Sequence, residues 1–368
     1  VSFDAAALAN RVTRPLRAYD PGHDLPALRK RFGPVLAELG SNETVLGPSP
    51  QAIAAIESAL PEVFRYPDPQ GGALKQALAE RLGVERAGIA LGNGSHELLM
   101  LLAQCFADEQ SSVVFSQFGF AVFPIATAAA GATAICVKAL APDHPSAPYG
   151  HDLDALAAAV RVDTRLVYLA NPNNPTGTWF SDAELAAFLG NVPESTLVVV
   201  DEAYQEFVDA AGAGGALGLR KHFPNLVVTR TFSKAYALAG LRIGYLLADP
   251  SVVAVLERLR ESFNVNSLAL AAAAAALGDT AHLERVCRWT REERAWLAAE
   301  LAGRGYRVLP SQTNFLLVDL GEDAAGLQDR LFERGVIVRP MAGYGLAHTL
   351  RISLGTRAEN ERLLAALP

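Results

Sequence analysis

The chain has 368 residues, 51% of them hydrophobic and 19% charged, which excludes a disordered polypeptide and allows two or three packed domains without metal or disulfide staples. Its 32 Lys and Arg against 39 Asp and Glu leave a net charge of −7, and no five-residue stretch is wholly basic, so small molecules rather than nucleic acid are the expected partners. Cys105, Cys136 and Cys287 lie far apart and make neither a disulfide framework nor a CxxC site, which points to a reducing cytoplasm.

From the N-terminus, VSFDAAALANRVTRP lacks an apolar signal core and already carries Asp4, Arg11 and Arg14, so secretion is not expected. GSNETVLGPSP (40–50) and RYPDPQGG (65–72) are Pro/Gly-rich connections, expected at an interface or a site rather than in a core. Seven short apolar, often β-branched runs then predict strands: 88–91, 112–115, 133–137, 165–170, 196–201, 225–230 and 243–248. Helical patterns at 95–106, 151–160 and 181–190 fall between them, the last opened by a capping box of Ser181 and Glu184. Ser111–Val137 carries no charge, but Pro124, Gly131 and its many alanines make it a poor membrane span; a buried helix followed by a buried strand is expected. Strands alternating with helices, apolar nearly throughout, predict an α/β fold with a mostly parallel seven-stranded sheet covered on both faces.

Beyond residue 250 the texture changes to Ala-, Leu- and Arg-rich helical sequence (251–277 and 280–303), followed by short strands and a helix near 323–334. This predicts a second, smaller α+β domain. The expected division is an N-terminal arm with part of the small domain (1–45), a large domain (46–262) and a small C-terminal domain (263–368).

Four segments carry chemistry: LGNGSHE (91–97), NPNNPTG (171–177), VVVDEAY (198–204) and TRTFSKAYALAGLRIGY (229–245). Each lies at or just beyond a predicted strand end, where open α/β sheets bind ligands. In the first, glycines free the amides of Ser95 and His96 at a helix start, a site suited to a phosphate dianion. A dinucleotide fingerprint fits poorly, because Glu97 stands where its third glycine belongs. Thr231, Ser233 and Arg242 add further phosphate ligands. Lys234 is the sole charge between Arg230 and Arg242, and small apolar surroundings lower an amine's pKa and favour nucleophilicity. Asp201 can hold a pyridine nitrogen protonated, and Asn174 offers an amide donor to an oxygen of the same ring, although a helix cap and a Pro/Gly turn would account for them separately. The seven histidines include no HxxxH spacing, and neither a GxSxG elbow nor a GxxxxGK[ST] loop occurs, so metal, hydrolase and nucleoside-triphosphatase chemistry is not indicated.

The ordered set N-P-x-N-P-T-G, D-E-A-Y and S-K-x-x-x-L-A-G-x-R strongly resembles the fold-type I pyridoxal-phosphate aminotransferases, and is similar in particular to the histidinol-phosphate aminotransferases among them. The likeness runs from SNETVLGPSP through RYPDPQG to NFLLV, GVIVRPMAGYGL and LRISLG. It implies that Lys234 bonds to pyridoxal 5′-phosphate and shuttles a proton, that Asp201 pairs with the ring nitrogen, and that Asn174 and Tyr204 bond the ring 3′ oxygen. It implies phosphate contacts from Ser95, His96, Thr231, Ser233 and Arg242, and from Tyr66 of the other subunit of a homodimer. Phe120 stands where the family stacks an aromatic ring, commonly tyrosine. Arg351 matches the arginine that clamps an α-carboxylate, and Arg339 a receptor for the substrate phosphate or the distal carboxylate of glutamate, with Tyr19 a neighbour. The implied reaction passes an amino group between histidinol phosphate and 2-oxoglutarate, forming glutamate, in histidine biosynthesis. Aromatic amino acids, decarboxylation of phosphorylated amino acids, a non-catalytic pyridoxal-phosphate sensor and a nicotinamide dehydrogenase are the alternatives.

Overall fold

The computed structural model describes residues 3–14, 24–321 and 324–368. Among them, the strands are β1 Ala37–Glu38, β2 Ile89–Gly92, β3 Ser112–Ser116, β4 Thr133–Val137, β5 Thr164–Ala170, β6 Leu197–Asp201, β7 Leu226–Thr231, β8 Gly244–Leu247, β9 Arg307–Val308, β10 Phe315–Asp319, β11 Val336–Ile337, β12 Arg339–Met341 and β13 Leu346–Ser353. All seven strands expected in the middle of the chain form one sheet, in the order β2-β8-β7-β6-β5-β3-β4. Its pairings are parallel except at β8, which runs antiparallel to both β2 and β7. One reversed strand leaves the other six pointing the same way, so the loops after β2, β5, β6 and β7 meet at one edge.

Apolar side chains cover this sheet on both faces. One cluster joins Ile89, Val114, Val167, Val198, Val200 and Val228 to helices that include Pro50–Ala59 and Gly72–Leu82. The other joins Val113, Leu166, Tyr168, Val199 and Val227 to the helix Gly94–Phe106. Alternate residues of each strand thus serve opposite cores, as a doubly covered sheet requires. The capping box at Ser181 forms, with Ser181 Oγ accepting from the Glu184 amide at 3.2 Å.

The structure differs from the sequence expectations in three places. β4 is an edge strand, and Thr133, Ala134 and Cys136 are exposed rather than buried, because one side of β4 has no strand to pair with. The expected helix 251–277 is two helices, Pro250–Leu256 and Ser267–Gly278, separated by a connection in which Phe263 has φ +61° and Asn266 caps the second helix. That second helix also packs against Pro50–Ala59, and Ala269, Ala272, Ala273 and Ala276 sit in the large core. Its alanines permit close helix contact there, so residues 267–278 join the large body rather than the small one.

The smaller body has a four-stranded antiparallel sheet, β12-β13-β10-β9, and a short parallel pair, β1-β11. Ala37 and Leu39 share its core with Val336, Leu316 and Leu350, so the N-terminal segment closes a layer built almost 300 residues later. Among the described residues, no helix is long and apolar enough to cross a membrane.

Candidate active site

A cavity of about 1020 Å³ lies between the strand ends of the large sheet and the small body. Asp201, the last residue of β6, lies at its floor and is 4% exposed. Its register partner on β7 is Thr229, whose Oγ1 donates to Asp201 Oδ1 at 2.8 Å. The following residues pair with each other: Arg230 reaches Glu202 at 2.8 Å. Arg230 thus serves Glu202 rather than Asp201. Burial pushes its carboxyl up to about 7; Glu202 adds to the rise, while hydrogen bonds from Thr229 and Ser95 and the Lys234 cation oppose it.

Lys234 follows β7, and its Nζ donates to the Asn42 carbonyl at 3.1 Å. Burial lowers the ammonium to about 8, and the Arg351 and Arg242 cations push the same way against Glu43 and Asp201. Nζ also lies 5.7 Å from the centre of the Tyr204 ring. Tyr204 Oη accepts from Asn42 Nδ2 at 3.0 Å, and burial raises this phenol to about 12. Asn42 was not singled out from the sequence. It has φ +55°, and Ser353 and Asn314 of the small body hold it in place. Thr44, two residues on, donates to the Lys234 carbonyl at 2.6 Å. The signal was the irregular SNET segment, whose position in space depends on contacts with residues far along the chain.

The two loops expected to hold a phosphate do converge. Ser95 and His96 open the helix Gly94–Phe106 after β2, while Thr231 ends β7 and Ser233 follows it. Arg242 spans them, donating to Ser233 Oγ at 3.3 Å and to the Asn93 carbonyl at 3.5 Å. A Cβ on Gly244 would meet Gly94 C and Ser95 N at 2.7 Å, so only glycine lets β8 lie this close to the helix start. The result is a set of backbone amides, hydroxyls and one guanidinium at a helix N-terminus.

Phe120 and Ala203 both line the cavity. Asn174 accepts from Arg351 Nη1 at 2.7 Å through its carbonyl oxygen, which leaves its amide group as the donor end. Arg351 also donates to the Gly40 carbonyl at 2.8 Å. Arg339, on β12, is the register partner of Arg351 on β13, and both line the cavity. Tyr66 does not line it: the ring is 83% exposed and stacks on Phe263 at 4.8 Å between centres. Tyr19 lies outside the described residues. Among the described residues, no group of three or more His, Cys, Asp or Glu side chains could hold a metal ion.

A buried acid at the end of a strand, a lysine of lowered pKa, a phosphate cradle and a flat aromatic wall in one cavity suit a phosphorylated pyridine aldehyde. The profile of the family "Aminotransferase class I and II" matches residues 35–367, and the chain belongs to that family. It is 47% identical to histidinol-phosphate aminotransferase 2 of Pseudomonas fluorescens, with 100% of this chain and 98% of that one aligned. It is also 47% identical to the histidinol-phosphate aminotransferase of Anaeromyxobacter sp., covering 96% of each. The crystal structure of histidinol-phosphate aminotransferase from Sinorhizobium meliloti in complex with pyridoxal-5′-phosphate superposes with a TM-score of 0.87 at 35% identity, covering 98% of this chain and 96% of that one.

Proposed function

We propose that the chain is a pyridoxal-phosphate-dependent aminotransferase that passes the amino group of histidinol phosphate to 2-oxoglutarate, working as a cytoplasmic homodimer. When bound, the cofactor supplies an electron sink for the negative charge that develops at the substrate Cα. The protein does the rest. Lys234 would hold the cofactor covalently when it is bound, and its free amine would then be the base placed to take the proton from the substrate Cα. An amine with a pKa of about 8 is suited to that exchange near neutral pH. Asp201 would pair with the ring nitrogen and favour its protonated form. Asn174 and Tyr204 would bond the ring oxygen, Phe120 would supply the stacking surface, and Ser95, His96, Thr231, Ser233 and Arg242 would hold the phosphate.

The observation that carries the substrate assignment is the facing pair Arg339 and Arg351 on adjacent strands. Both guanidinium groups line the cavity, where two cations on adjacent strands suit an anionic substrate. Arg351 suits the α-carboxylate of glutamate, and Arg339 the phosphate of histidinol phosphate or the distal carboxylate of glutamate in turn. In a single-turnover titration of the loaded enzyme, histidinol phosphate is expected to discharge the visible absorbance at lower concentration than phenylalanine. Arg339→Ala is expected to cost on the order of 2–5 kcal/mol in kcat/KM for histidinol phosphate and little for phenylalanine. A loss under tenfold, or phenylalanine as the better donor, overturns the assignment in favour of an aromatic aminotransferase.

The dimer is supported by the exposed apolar side chains of one short segment, Leu60, Val63, Phe64 and Tyr66, with Tyr66 stacked on the partly exposed Phe263. In this reading Tyr66 reaches the phosphate of the neighbouring site, which accords with its position outside its own cavity. Phe64→Asp is expected to yield a monomer in sedimentation velocity, with weakened cofactor retention. A variant that stays dimeric would place the interface elsewhere.

A further inference from the structure

Glu38 and Glu43 are acidic side chains on the cavity wall that have no place in the chemistry above. Glu38 ends β1, where its register partner is Ile337 on β11. Its neighbours Ala37 and Leu39 are fully buried in the core of the small body. Strand alternation therefore turns Glu38 the other way, toward the cavity, on the side that Ile337 and, two residues on, Arg339 also line. Ser41 Oγ donates to Glu38 Oε1 at 2.7 Å and fixes the carboxyl group. Glu43 and Arg29 are the other charged groups near it. Gly40, next on the same side of the chain, gives its carbonyl to Arg351. Glu38 thus stands on the substrate side of the cavity, away from Asp201 and the phosphate loops.

A carboxyl group here works against every anionic group that the two arginines attract. Apart from the amino or keto group that reacts, glutamate and 2-oxoglutarate bring carboxylates only. Histidinol phosphate, in contrast, carries one further polar group, an imidazole ring with an N–H donor. We propose that Glu38 is a specificity residue that accepts a hydrogen bond from the imidazole N–H of the amino donor. This rests on the histidinol-phosphate assignment. The arginines then select the phosphate, and Glu38 distinguishes imidazole from a ring of similar shape without a donor. A site built around a substrate N–H rejects the analogue that lacks it, because its own polar group is left unpaired.

The test compares loaded wild-type enzyme with Glu38→Leu and Glu38→Gln on three amino donors: histidinol phosphate, the phenyl analogue 2-amino-3-phenylpropyl phosphate, and glutamate. Wild type should prefer imidazole to phenyl. Glu38→Leu should reduce that preference by roughly ten- to hundredfold, mainly through KM for histidinol phosphate, as expected for losing a hydrogen bond to a charged group. Glu38→Gln, which keeps an acceptor oxygen, should retain part of it. The glutamate half-reaction should hold within about twofold of wild type or improve, which also reports that each variant is folded and loaded. An unchanged imidazole-to-phenyl ratio, or an equal fall for all three donors, overturns the role of Glu38. If wild type itself fails to use histidinol phosphate, the substrate assignment falls, and the role of Glu38 with it.

Discussion

Lys234→Ala is expected to lower kcat by roughly 10⁴-fold, the upper end of what one positioned acid–base group supplies, with additional loss from the missing covalent link. The reason is positional as well as chemical. Nζ is held by the Asn42 carbonyl at 3.1 Å, over the Tyr204 ring, with Thr44 bonded to the backbone of the same residue. No other lysine lines the cavity among the described residues, so no second amine can take its place. The visible absorbance of lysine-bound cofactor should vanish while the variant still binds pyridoxal phosphate through the unaltered cradle, measurable by equilibrium dialysis. Arginine at this position should not rescue, since a guanidinium stays protonated and cannot accept the Cα proton. Turnover within tenfold of wild type would remove Lys234 from the mechanism. Asn42→Ala should weaken the same step less: it removes the amide that donates to Tyr204 Oη and the side-chain acceptor for Ser353 Oγ, but keeps the backbone carbonyl that accepts from Lys234.

Asp201→Asn should act in opposite directions on activity and on stability. Loss of the carboxylate facing the ring nitrogen removes an electrostatic interaction aimed at developing charge, and kcat should fall by roughly 10²–10³-fold. The cofactor-free protein should become more stable. In the folded, cofactor-free chain the carboxyl group titrates at about 7, against 3.8 for an unperturbed aspartate. The folded state therefore holds an extra proton between those values, and wild-type stability falls as pH rises through that window. Above it the full penalty is present, on the order of 4 kcal/mol for a shift of about three units. Asparagine cannot ionise and avoids this cost. The variant should therefore unfold at higher denaturant than wild type at pH 8, with the difference gone by pH 4. In the loaded enzyme a protonated ring nitrogen would provide a facing cation, so wild type should regain the advantage. A cofactor-free variant that is less stable at pH 8 would show that Asp201 is not held against its ionisation.

The same carboxylate shows what local sequence conveys. An aspartate closing a run of buried β-branched residues marks the end of a strand, and the motif around it resembled a family in which an acid at that place is implied to pair with the cofactor ring. All seven strands of the large sheet were legible for a similar reason: each is a short apolar run bounded by residues that cannot continue it. The phosphate loops were legible through glycine, whose presence marks a close approach of backbones; at Gly244 the clashing neighbours are Gly94 and Ser95.

Determined by the sequence alone, then, were the seven strands of the large sheet, the α/β class and the family, together with the motif residues that the fold brings to one cavity. Tertiary structure decided which strands lie at an edge, as with the exposed β4, and which body a helix joins, as with Ser267–Gly278. It also decided the company that each reactive group keeps. Asn42 reaches Lys234 only because Asn314 and Ser353 hold its segment, and Arg339 faces Arg351 only through the register of β12 on β13. Periodicity tells a residue which side of its own element it occupies; it does not say which distant segment will lie opposite. That choice is made by packing, when the small body folds onto the N-terminal segment and brings residues some 300 positions apart into one cavity wall.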